Sequence, residues 1–263
     1  MGIAGLIADL INLFVLLVIL AGLIRMILRG RREMTVIFYI FSTASLSFSY
    51  IYWLVYDAMW PQERLVFAAN EICEWAHFLM CGTVLAYMFK SITRIDWGEV
   101  FGVTILVAVN VALWIAWTGE WLQDILTGLC IAYWAYRLAV VLKESKSSSL
   151  KEWCGLLAGF VIALGLQVAS FFKGAPVDAL YLASFLILAI IVVIIHIKTI
   201  RTLVRAEEYE DYRRAFCLAC LIVILTGSGM YMSSEPYYTI FLCSMGLPYI
   251  YSYIAMRKGA DLK

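Results

Sequence analysis

Residues 2–32 read GIAGLIADLINLFVLLVILAGLIRMILRGRR. Up to Leu28 the only strongly polar side chains are Asp9, Asn12 and Arg25, and the run closes on Arg29, Arg31 and Arg32. A bilayer core takes about 20 apolar residues in helical form, so this segment predicts a transmembrane helix stopped by a basic flank. It does not read as a cleaved leader, because it lacks a basic start and runs past the length of a signal core.

The same unit recurs along the chain. Apolar stretches fall at about 3–28, 34–58, 65–91, 98–118, 121–143, 151–173, 177–204, 212–232 and 237–256. With 64% hydrophobic residues and a mean hydropathy of +0.89, little sequence remains for a soluble unit. We expect an all-α polytopic bundle of nine spans, one transmembrane domain over residues 1–263.

The gaps between spans alternate in charge. One set holds Arg29, Arg31 and Arg32; Lys90 and Arg94; Lys143, Lys146 and Lys151; then Lys198, Arg201, Arg205, Arg213 and Arg214. Arg257, Lys258 and Lys263 follow the last span, whereas the other gaps hold only two bases, Arg64 and Lys173. Positive charge stays on the cytoplasmic side, which puts the N-terminus outside and the C-terminus inside. The outer side then collects Asp9, Asp57, Glu63, Glu71, Glu74, Glu120, Asp124, Asp178 and Glu235. Acids contribute little to orientation, so this outer acidity is not required by topology and points toward function. The chain holds no Asn-X-Ser/Thr sequon, which is compatible with a bacterial cytoplasmic (inner) membrane, the expected location.

Most Trp and Tyr fall where helices should leave the hydrocarbon, among them Trp53, Trp114, Trp121, Tyr237 and Tyr238 outside and Trp97 and Trp153 inside. Pro61, Pro176 and Pro236 lie in outer gaps, where a missing N–H is harmless. Pro248, with Gly246, should kink the last span and free backbone carbonyls for a neighbour. Gly227-Ser228-Gly229 is a second expected weak point, and Gly155, Gly159 and Gly165 permit close helix packing.

The segment Asn70-Glu71-Ile72-Cys73-Glu74-Trp75-Ala76-His77 is the most unusual. On a helix Asn70, Glu74, His77 and Cys81 fall within about 60° of one another, with Glu71 on the flank. Ionisable groups this far into a span are costly and face a bundle interior or a wet cavity. A carboxylate and an imidazole three residues apart can share a proton or a metal ion, so Glu74 and His77 are also the candidate metal ligands. The competing reading is a packing seam in which Glu74 hydrogen-bonds His77. Asp9, Asp57 and Asp124, with Gln123 and Gln167, lie toward the same side. Together with Trp75 they suggest an acidic, aromatic vestibule for a cation, a proton or a small amine.

Other chemistries are disfavoured. Bis-histidine ligation of one haem needs two histidines at nearly equal depth, yet His77 and His196 are offset by about 12 Å at about 1.5 Å per residue. Retinal needs a Lys deep in a late span, and the last two have none. A dinuclear carboxylate centre needs two Glu-x-x-His pairs, and one is present. No phosphate-binding Gly loop, His-Glu-x-x-His or Gly-x-Ser-x-Gly occurs. The seven Cys, Cys217-x-x-Cys220 included, read as small hydrophobes.

The leading expectation is a transporter or channel-like protein with an outward site at Asp9, Asp57, Asn70, Glu71, Glu74, Trp75, His77 and Asp124. A sensory or accessory membrane subunit is the rival, and an intramembrane enzyme using Glu74 and His77 is the third. The opening three helices, with an outside N-terminus and a basic first loop, loosely resemble the seven-helix sensor regions of bacterial histidine kinases, a likeness of hydropathy that implies no residue role. Membrane lipid is the expected surroundings and nucleic acid is not a partner. A homo-oligomer and a cytoplasmic partner at the 205–214 loop stay open.

Overall fold

A computed structural model describes residues 3–59, 69–90, 95–118, 120–144, 150–170, 175–231 and 237–262. They form ten α-helices and, among the described residues, no strand: α1 (Ile3–Leu28), α2 (Met34–Met59), α3 (Ala69–Met88), α4 (Trp97–Thr118), α5 (Trp121–Glu144), α6 (Leu150–Ser170), α7 (Ala175–Arg205), α8 (Tyr209–Tyr231), α9 (Tyr237–Ser244) and α10 (Gly246–Gly259). Seven units are long and apolar enough to cross a membrane: α1, α2, α4, α5, α7, α8 and the α9–α10 pair. The nine spans read from sequence also counted α3 and α6. In α3 the polar group Asn70, Glu71, Glu74 and His77 dilutes the apolar content of its 20 residues.

α8 is the centre of the bundle. Every residue from Ala215 to Thr226 is buried, so this helix is enclosed on all sides. It packs against α10, α7, α9, α6, α5 and α3. The expected break at Gly227-Ser228-Gly229 does not occur, because α8 runs unbroken to Tyr231. Neighbouring side chains fill the space over two of the glycines: Phe241 of α9 lies against Gly229 and Leu225 against Gly159 of α6. Gly155 and Gly165 make no such close approach.

The outward faces are those of lipid-exposed helices. Ile11, Phe14 and Val18 project from α1, and Ile190, Val193 and Ile194 from α7, each more than half exposed. Such faces are stable only against hydrocarbon or a partner, and with the seven apolar units they define a multi-pass helical membrane protein.

The last span breaks between α9 and α10, at Met245. Pro248 sits in the first turn of α10, where its missing N–H costs little. The break exposes the Leu242 carbonyl, which accepts hydrogen bonds from Met245 N (3.2 Å) and from the Asn12 side-chain amide of α1 (2.9 Å). Gly246 allows this approach, since a Cβ there would lie 2.9 Å from the Asn12 Oδ1.

One end of the bundle is held by ion pairs between helix termini. Arg31 beyond α1 pairs with Asp261 beyond α10, and Glu152 of α6 with both Lys198 of α7 and Arg214 of α8 (2.8 Å). Asp96 caps α4 by accepting from Gly98 N (3.0 Å) and Glu99 N (3.2 Å), and Lys143 of α5 bonds Asp96 (3.0 Å) and Glu99 (2.8 Å). Arg213 pairs with Glu210 one turn away, and the next residue, Arg214, reaches Glu152.

Asn12→Ala should lower stability by about 1–2 kcal/mol in mixed-micelle unfolding, and Gly246→Ala should do at least as much. The Lys143 ammonium, bonded to Asp96, holds that carboxyl below the usual aspartate range, with its bonds to the α4 amides adding to the effect. A depressed folded-state pKa stabilises above the unfolded value and is lost as pH falls through the folded one. The melting-temperature gap between the native chain and Asp96→Asn should therefore persist at neutral pH and close as pH falls below the ordinary aspartate value of about 4.

Candidate functional site

α3 carries the site, and its neighbours α2 and α5 shape it. Asn70, Glu71, His77 and Cys81 are buried and Glu74 is half-buried, so the polar face of α3 points into the bundle. The side chains form two levels one turn apart.

The acidic level lies at the end of the bundle away from the ion pairs. Glu74 Oε1 accepts from the Ser49 hydroxyl of α2 (2.9 Å) and from the Asn70 amide (3.4 Å). Tyr50, next along α2, faces the Asn12 side chain and lies within electrostatic reach of Asp9, Glu74 and Tyr238. Asp9 is buried, so α1, α2 and α3 bring two carboxylates and a phenol to one place. Trp75 points the other way and donates its indole N–H to Thr127 of α5 (2.7 Å). Asp124, also buried, stands one turn before Thr127 on α5. The side chains of Asp57 and Gln167 lie outside the described residues.

The second level is centred on His77. Its Nδ1 is 2.8 Å from the Ser42 hydroxyl and 3.2 Å from the Ser42 carbonyl, and its Nε2 is 3.3 Å from the Tyr249 hydroxyl of α10. Ser42 also contacts Cys81 Sγ (3.1 Å). Phe78, Trp134 and Tyr249 ring the imidazole, with centroids 5.6–5.8 Å away. A neutral imidazole carries one N–H. On Nδ1 it donates to the Ser42 carbonyl; on Nε2 it donates to Tyr249, and the Ser42 hydroxyl then donates to Nδ1. In the first tautomer the Tyr249 hydroxyl donates to Nε2, so either tautomer bonds at both ring nitrogens. Deeper still, the Tyr39 hydroxyl faces Ser252 without closing a hydrogen bond.

Glu74 and His77 are thus neighbours in sequence with separate partners, and the seam read as a direct Glu74–His77 bond is replaced by Glu74–Ser49 and His77–Ser42. Among the described residues no three His, Cys, Asp or Glu side chains converge as metal ligands. His196 meets Tyr251 of α10 at 3.3 Å. Both histidines of the chain therefore pair with a tyrosine of one helix.

Sequence reasoning missed Ser42, Ser49, Asn12 and Tyr249. Ser42 and Ser49 are seven residues apart, two turns of one helix, and that spacing was a usable signal. Thr43 and Ser47, in the same stretch, bond back to the carbonyls of Tyr39 and Thr43 and carry no such role.

No family model, curated protein or solved structure matches the chain. Its class rests on its own architecture, a multi-pass helical membrane bundle with a buried acid, hydroxyl and imidazole array. Ser42→Ala should lower unfolding stability by about 1 kcal/mol, and Tyr249→Phe by less because its contact is longer.

Proposed function

We propose that this protein is a transporter or channel-like protein of the bacterial cytoplasmic membrane that moves protons or small cations. In this reading the chain crosses nine times, α3 and α6 included, with its N-terminus outside and its basic end inside. The carrying observation is the stacking of the acidic level directly on the His77 level, about 5 Å or one helical turn apart. Asp9, Glu71 and Glu74 concentrate cations at the outer end, and Glu74 exchanges a proton through its Ser49 contact. His77 then passes protons by taking one at one ring nitrogen and releasing one at the other, between Tyr249 and Ser42.

One observation favours the rival reading, a sensory or accessory subunit. His77 is closely packed, with aromatic rings around it and a protein partner at each nitrogen. In that case a ligand at the acidic level shifts the network and the basic end passes the state on.

Reconstitution into vesicles with an internal pH-sensitive dye separates the two. An imposed cation or pH gradient should drive flux through the native chain, and Glu74→Gln should reduce it at least about tenfold while the protein stays folded. Equal flux in the two proteins removes the transport reading.

A further inference from the structure

The basic end holds an open cleft of about 180 Å³ lined by Lys198, Arg201, Thr202, Arg205, Asp211 and Arg214. We propose that this cleft binds the phosphate headgroup of an anionic membrane lipid.

The charge balance is the first argument. Four bases line the cleft with one acid, and Asp211 commits Oδ2 to the Glu207 and Glu208 backbone amides (3.2 and 3.3 Å). Glu152, buried behind the cleft, neutralises part of Lys198 and Arg214. Among the described residues no carboxylate pairs with Arg201 or Arg205, so positive charge remains in excess. Arg214 bonds Glu152 through Nη2 and leaves Nε buried without an acceptor. Glu152 thus fixes one wall of donors before any anion arrives.

Geometry is the second argument. Lys198, Arg201 and Arg205 recur at spacings of three and four on α7, so their charges share one side of that helix, and Thr202 beside them bonds back to the Lys198 carbonyl (2.9 Å). Guanidinium groups offer paired N–H donors suited to phosphate oxygens.

The third argument selects a lipid over a soluble phosphate. Ile197, Ile200 and Val204 form an exposed stripe adjacent to the basic one, with Val204 80% exposed. The stripe continues along α7 through Ile194, Val193 and Ile190. A headgroup in the cleft places its acyl chains along this apolar face. Ordinary cytoplasmic lysines orient a protein without such a walled site.

The test uses purified full-length protein in detergent, titrated with phosphatidic acid, phosphatidylcholine or inorganic phosphate, with melting temperature and native mass spectrometry as readouts. Phosphatidic acid should raise the melting temperature and appear as a bound adduct, and phosphatidylcholine should do so far less. Arg201→Gln with Arg205→Gln should weaken phosphatidic acid binding at least about tenfold. Both side chains are exposed, and circular dichroism checks that the double variant folds. Millimolar inorganic phosphate should neither reproduce the shift nor displace the lipid. If it does both, the site takes soluble phosphates and the lipid assignment is overturned. Unchanged lipid affinity in a folded double variant overturns the site itself.

Discussion

A single amide from α1 meets the backbone where the span formed by α9 and α10 is interrupted. Within hydrocarbon there is no water to accept a stray hydrogen bond, so a break in a span persists only where protein satisfies it. Pro248 has no N–H to offer the carbonyl four residues earlier, and the turn around Met245 exposes Leu242. Asn12 donates to the Leu242 carbonyl alongside Met245 N. Beyond the break α10 presents Tyr249 to His77 and Tyr251 to His196. The tyrosine partners of both imidazoles thus sit on the helix that begins at this contact.

The two ends of the bundle are held by different chemistry. Ion pairs between helix termini tie the basic end, where Lys143 and Glu152 each meet two opposite charges. At the acidic level the contacts run between carboxylate, hydroxyl, amide and indole, as in Ser49–Glu74 and Trp75–Thr127. Long basic side chains reach the headgroup region and exchange partners there. Short hydroxyls and amides hold fixed distances, which suits a region whose geometry must be kept.

Helix identity was legible because the apolar runs are long and their basic flanks regular. Trp97–Thr118 and Trp121–Glu144 fall within a residue of the bounds read from hydropathy. The kink near Gly246 and Pro248 was legible too, since proline chemistry is local. The partner of the freed carbonyl was not, because Asn12 lies 230 residues away and nothing in its neighbours marks it. The polar face of α3 could be read from helical spacing, but its pairing could not. Glu74 and His77 look like mates along the chain, and α2 interposes two serines that bind them separately. Continuity of α8 through Gly229 was hidden for the same reason: Phe241 of α9 and Leu188 of α7 pack over that glycine, and neither is near it in sequence.

The enclosure of α8 bears on biogenesis. A segment apolar on every side enters a bilayer readily by itself, yet its native walls come from helices made before it and after it. While α9 and α10 are still being synthesised, one flank of α8 faces lipid or the insertion machinery. Its final neighbours close only when α10 arrives and Asn12 can clasp the break. Assembly of the interior therefore waits on the synthesis of α10.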